Sequence, residues 1–305
     1  MSEPVISPVA PLSKGAVFLR RLLSFIVLWG IVLGGLFSGN KAVSDYVFLI
    51  IVVFLAAAGL QEFYGMVAKL GYACYAKAGT SGGVLLLAAT FCYISGQFGT
   101  AAAPSRVNDF ETSFFILFVL GLCIRHFVSR HNTSGIVAIS TTLFGLMYVP
   151  WLLNFLQKIN FFGRGVDGHF YILYFVVVTK LSDCGAYAVG SLIGKHKMIP
   201  RISPGKTWEG FCGAIVVSTA ASVIFARLAG LHLTGMTHLH AVILGVILSL
   251  GAVVGDLIES LFKREAGLKD SGRLFPGIGG ILDLLDSLLF NAPLMYLYLR
   301  HVLTP

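Results

Sequence analysis

Nine apolar segments, each close to the thickness of a bilayer's hydrocarbon core, leave this chain few possible folds. They run over 17–38, 46–66, 81–98, 112–129, 134–155, 168–191, 208–229, 237–258 and 279–300, and a helix needs ~20 residues to cross. In lipid every backbone N–H and C=O must find its partner within the protein, which only helices and closed barrels achieve. The segments lack the alternation of barrel strands. The sequence therefore predicts an all-α, polytopic transmembrane helical bundle of about nine spans. Only 12% of the residues are charged, whereas soluble domains carry about a quarter, so the apolar runs are not the core of a large globule. A cytoplasmic tail over 1–16 is expected to precede a single integral-membrane domain over 17–305.

The loops orient the bundle. With the N-terminus in the cytoplasm, fifteen Lys and Arg residues fall on the cytoplasmic side, among them Lys69, Lys77, Arg125, Lys195, Lys197, Arg201, Lys206, Lys263, Arg264, Lys269 and Arg273. Six fall outside: Lys41, Arg106, Lys158, Arg164, Arg227 and Arg300. That asymmetry follows the positive-inside rule and favours an odd number of spans. It also accounts for the net charge of +8 through loops that meet anionic lipid, without nucleic acid as a partner. The five cysteines are scattered with no CxxC spacing, so neither a disulfide framework nor a zinc site is indicated. His232, His238 and His240 share an outer loop and are weak metal candidates.

Acidic residues concentrate at the ends of spans on the cytoplasmic side: Glu62, Asp183, Asp256, Glu259, Asp283 and Asp286. Ionisable groups there are costly unless paired, hydrated or ion-bound, and so point to function. Asp256/Glu259 and Asp283/Asp286 are both i,i+3 pairs, each sharing one helix face. Two such pairs on facing helices suit a hard cation such as Mg²⁺, which takes oxygen ligands and completes its shell with water and substrate phosphate. The competing reading is salt bridging to Lys263, Arg264 and Lys269. Between the pairs, Pro276-Gly-Ile-Gly279-Gly280 lets the backbone turn and approach a ligand, at a helix start that favours anions. A second polar loop carries Ser203-Pro-Gly-Lys206-Thr207-Trp208. It is not a Walker A loop, because Pro200 stands where the first glycine belongs. Ser203, Lys206 and Thr207 can still bind phosphate oxygens or cap the following helix.

Three ordered motifs carry a resemblance. Ser182-Asp183-x-Gly-Ala-Tyr187-x-x-Gly190, then Ser203-Pro-x-Lys206-Thr-Trp208-Glu209-Gly210, then Ser260-x-x-Lys263-Arg264-x₄-Lys269-Asp270 running into Pro-Gly-x-Gly-Gly-x-x-Asp283-x-x-Asp286, resemble the signatures of phosphatidate cytidylyltransferases (CDP-diacylglycerol synthases). They occupy 180–293. The chain departs from the family's pattern at Ile278, Leu284 and Gly205, which replace a His, an Arg and a basic residue. The resemblance implies cytidylyl transfer from CTP to phosphatidate in phospholipid biosynthesis, at the face of a bacterial inner membrane where CTP is found. It implies Mg²⁺ as cofactor, leaves open an accompanying monovalent cation, and is compatible with a homodimer. Asp256 and Asp283 would be the leading metal ligands, with Asp183 and Asp286 beside them. Lys206 and Lys263 would serve catalysis. Those two lysines, with Ser203, Thr207, Arg264, Lys269, Gly279 and Gly280, would bind substrate, and Asp270, Glu209 and Glu259 would orient the bases. The competing readings are a transporter with an acidic ion site and a relative acting on another lipid phosphate.

Overall fold

The computed structural model describes residues 30, 33–35, 37–97, 104–129, 134–163, 165–272 and 279–303. The tail over 1–16, most of the expected first span, and Arg164, Arg273, Pro276 and Ile278 lie outside the described residues. The elements, in chain order, are α1 (Lys41–Lys69), α2 (Ala76–Ile94), α3 (Pro104–Val128), α4 (Gly135–Leu146), α5 (Leu152–Asn160), α6 (Gly168–Ile193), β1 (Lys197–Ile199), β2 (Ser203–Thr207), α7 (Trp208–Ala229), α8 (His238–Glu265) and α9 (Ile281–Tyr298). Among the described residues, eight helical segments are long and apolar enough to cross a membrane. They follow the expected spans two to nine in order. The chain is an integral membrane protein built as a helical bundle.

Local chemistry sets the ends of the helices. Asn40 accepts the N–H groups of Ala42 and Val43 to open α1, Thr207 accepts from Gly210 to open α7, and Thr237 accepts from His240 to open α8. Each satisfies an N–H that the helix itself leaves unpaired. Helices α4 and α5 form one span, joined by a π-turn over Met147–Trp151 that contains Pro150. Proline removes a helical donor and clashes with the preceding turn, and the wider turn absorbs both effects. The polar loop before α7 folds as an antiparallel hairpin, β1 with β2, pairing Lys197 with Thr207 and Ile199 with Ser203. It is a two-stranded departure from an otherwise helical chain.

Helix α9 is central. It buries Ile281, Leu282, Leu285, Leu289, Met295 and Tyr296 and packs against α8, α5, α1 and α6. Asn291 ties it to two neighbours, donating to Leu248 O at 2.7 Å and to Thr179 Oγ1 at 3.1 Å. Helix α3 stands at the periphery and exposes Ile116, Leu117, Leu120, Ile124 and Phe127, as a lipid-facing helix should.

One expectation needs correction. Lys158 is not a loop cation. It is buried and paired with Glu111 at 2.7 Å, the two side chains being 4% and 5% exposed. Glu111 also accepts from Asn154 at 2.6 Å and Trp151 at 3.0 Å, and Lys158 donates to Asn108 at 3.0 Å. This network lies toward the end of the bundle away from the hairpin, so the acidic residues do not all gather at one end.

Candidate active site

Small residues bring the acidic groups together. A Cβ added at Gly255 would lie 2.6 Å from Asp286 O, and one at Gly251 would meet the Asn291 side chain. Helices α8 and α9 therefore approach backbone to backbone, as small residues allow between membrane helices. Asp256 and Glu259 on α8 then face Asp286 on α9. Each offers a carboxylate oxygen, and those oxygens all lie within 4.8 Å of one another. Glu259 is 1% exposed. Neither of its oxygens accepts a well-oriented hydrogen bond, although Oε2 lies 2.6 Å from Lys263 Nζ.

Lysines frame this group. Lys206 Nζ, reaching from β2, contacts Asp256 Oδ2. Lys263 bridges Glu259 and Asp283, at 2.6 Å from each. Lys180 on α6 donates to Leu284 O at 2.8 Å and Ser287 Oγ at 3.0 Å, and lies 3.5 Å from Asp183 Oδ2 and 3.8 Å from Asp286 Oδ1. A cation thus meets the turn at Leu284, contributed by another helix. Asp183 Oδ2 also accepts from Ser287 Oγ at 3.0 Å. Five carboxylates, Asp183, Asp256, Glu259, Asp283 and Asp286, face the three ammonium groups of Lys180, Lys206 and Lys263. The carboxylates outnumber the ammonium groups around them. Buried carboxylates without partners are strongly unfavourable, and a cluster of carboxylate oxygens is the donor set of a hard cation. The residues present fit such an ion, and Asp256, Glu259 and Asp286 are the ones that would hold it.

Asp283 stands apart from that trio. Its Oδ2 accepts from Gly280 N at 2.7 Å and from Ser271 N and Oγ, both at 3.0 Å, while Oδ1 takes Lys263. It fixes the start of α9. Glu62 of α1 shares that task, accepting Ile281 N and Leu282 N at 2.9 Å and Ser271 Oγ at 2.8 Å. A carboxylate opposite a helix N-terminus is favoured by the free N–H groups and the dipole.

The other expected residues divide. Thr207 is buried and caps α7. Ser203 pairs with Ile199 in the hairpin. Arg264 donates to Ile202 O and Leu268 O, both at 3.2 Å, and clamps the hairpin to the end of α8. Lys269 and Asp270 are exposed beyond that end. Glu209 accepts from His196 at 2.6 Å. Gly279 has φ +111 and lies against Asp283, and a side chain at Gly280 would strike Ser271 and Glu62. Their glycine character keeps the cap of α9 intact.

The i,i+3 spacing paired Glu259 with Asp256 as a cation site, whereas the resemblance gave it a supporting role, and neither argument brought Lys180, Ser271 or Ser287 into the cluster. The i,i+3 spacing of Lys180 and Asp183 was a usable signal. The capping role of Glu62 had none, because its partners lie 219 and 220 residues away.

Comparison with known proteins places these motifs. The model of a family described as the cytidylyltransferase family matches residues 19–302. A phosphatidate cytidylyltransferase of Mycobacterium bovis is 35% identical over 207 residues, covering 66% of this chain and 64% of that protein. One of Bacillus subtilis is 37% identical over 203 residues, covering 64% and 73%. One of Staphylococcus haemolyticus is 45% identical over 139 residues, covering 46% and 52%. The chain thus spans less than two thirds of the length of the mycobacterial relative.

Proposed function

The chain belongs to the cytidylyltransferase family, and from that premise we propose that it transfers the cytidylyl group of CTP to phosphatidate, forming CDP-diacylglycerol and pyrophosphate. A phosphatidate oxygen attacks the α-phosphorus of CTP, and the bond to the β-phosphate oxygen breaks. The lipid phosphate is already an anion, so the step needs little help from a general base. The obstacle is bringing two polyanions into line, which positioning and charge stabilisation overcome.

The observation that carries this reading is the trio Asp256, Glu259 and Asp286, set among lysines beneath the hairpin. These three residues would hold Mg²⁺, with Asp183 beside them. When bound, the ion would supply charge to the CTP phosphates and to the developing pyrophosphate. Lys206 is placed to leave Asp256 for a phosphate oxygen, on a hairpin that Arg264 anchors. Lys263 holds Glu259 and Asp283 in register across α8 and α9. Exposed Lys269 is free to meet a lipid headgroup or a nucleotide phosphate.

The same reading sets the orientation. The end carrying the site faces the cytoplasm, where CTP is soluble, in a bacterial inner membrane. The bases of the described loops gather at that end, in keeping with the positive-inside rule.

The test is incorporation of labelled CTP into lipid by the purified protein in detergent, with phosphatidate, with and without Mg²⁺. Metal-dependent formation of CDP-diacylglycerol is expected. CTP binding without product would redirect the proposal to another lipid phosphate. Absence of both would remove it.

A further inference from the structure

The ammonium of Lys180 sits among oxygens from two helices. Leu284 O and Ser287 Oγ come from α9 at 2.8 and 3.0 Å. Asp183 Oδ2 on its own helix and Asp286 Oδ1 on α9 stand at 3.5 and 3.8 Å. A carbonyl, a hydroxyl and two carboxylates make a neutral-to-anionic oxygen cage, the setting in which a small hydrated cation exchanges its water for protein oxygens. Lys180 is a charge inside a membrane span, and such groups are rare without a task.

We propose that Lys180 is a tethered monovalent cation of the acidic site. Its ammonium holds Asp183 and Asp286 in register beside Asp256 and Glu259, in the position that a dissolved monovalent ion would otherwise fill. This rests on the cytidylyltransferase reading above only in assigning the site its reaction. Lys180 is a positioning residue. It acts through Asp286, a proposed holder of the divalent ion, and residues that orient metal ligands change affinity or activity when removed. Because the cation is covalently attached, the site does not depend on the monovalent salt around it.

The experiment uses the full chain in detergent, with choline as the only monovalent cation and then with K⁺ or ammonium titrated in. Choline is too large for the cage. Two readouts are taken, CDP-diacylglycerol formation and binding of Mn²⁺ followed by electron paramagnetic resonance. The unsubstituted protein should be indifferent to the exchange in both. Lys180→Ala in choline should lose about 10–100-fold in rate or Mn²⁺ affinity, and K⁺ or ammonium should restore it. Lys180→Gln keeps a hydrogen-bonding arm without the charge and should lose as much in choline, so it decides the matter if the alanine variant does not fold. A requirement for K⁺ in the unsubstituted protein would overturn the proposal. So would a substituted protein fully active in choline, or a folded Lys180→Ala that neither ion restores. If the unsubstituted protein makes no CDP-diacylglycerol, the cytidylyltransferase reading fails by itself, and the Mn²⁺ readout alone decides the role of Lys180.

Discussion

Two buried charge networks in this bundle are built on opposite principles. At one, Glu111 and Lys158 pair at 2.7 Å, and Asn154, Trp151 and Asn108 complete their hydrogen bonds. Charge is balanced one to one. At the other, Asp183, Asp256, Glu259, Asp283 and Asp286 share only Lys180, Lys206 and Lys263, and Glu259 keeps oxygens without well-oriented donors. The first network pairs its charges internally and holds α3 to α5. The second is open and asks for a ligand. The difference teaches that burial of charge marks a site only when the local hydrogen-bond inventory is incomplete.

The comparison can be broken by exchanging the consequences. Lys158→Met leaves a carboxylate buried without its cation. Breaking a buried pair on one side costs about 3–5 kcal/mol, so thermal unfolding in detergent should show a large fall in stability, with the rate per folded molecule kept. Replacing both partners, Glu111→Gln with Lys158→Met, should recover much of that loss. A loss equal to that of the single variant would mean the pair is not the unit.

Asp286→Asn should do the reverse. It removes a proposed metal holder and relieves repulsion, so the rate should fall about 100-fold or more while the melting temperature holds or rises. A fall in both would place Asp286 with the structural network.

Gly255→Ala sharpens the geometry. The new methyl would meet Asp286 O, and overpacking at such a contact costs about 1–3 kcal/mol. The trio should open, so the Mg²⁺ requirement should rise more than the stability loss alone explains. Thr207→Ala has the smallest expected effect. Loss of an N-cap costs about 1 kcal/mol, read as a modest drop in melting temperature with the CTP dependence nearly intact. A large rise in the CTP requirement would make Thr207 a phosphate ligand as well as a cap.

The fold was legible because spanning length and apolarity are properties of contiguous residues. Spans two to nine were marked by hydropathy, and the grouping of bases at one end followed from loop composition. The hairpin over 197–207 was missed because its strands are short and contain Pro204 and Gly205, which read as loop. Within the site, the i,i+3 pairs on α8 and α9 announced the acidic cluster, yet spacing alone could not divide the labour between Asp283 and Glu259. That division depends on which carboxylate meets a helix N-terminus. Asp283 stands three residues after Gly280 and caps its own helix, while Glu259 lies on the face of α8 turned toward Asp286. Long-range partners such as Glu62 with Ile281, and Lys158 with Glu111, leave no local pattern.

The central claim is that the divalent ion is held by Asp256, Glu259 and Asp286, and that Asp283 acts by fixing the start of α9. The most direct measurement is the Mg²⁺ concentration giving half the maximal rate of CDP-diacylglycerol formation, compared among the unsubstituted protein, Glu259→Gln and Asp283→Asn, with melting temperatures alongside. A rise of about tenfold or more for Glu259→Gln, with Asp283→Asn chiefly lowering the melting temperature, is the predicted result. An unchanged Mg²⁺ requirement for Glu259→Gln together with a large rise for Asp283→Asn would contradict it.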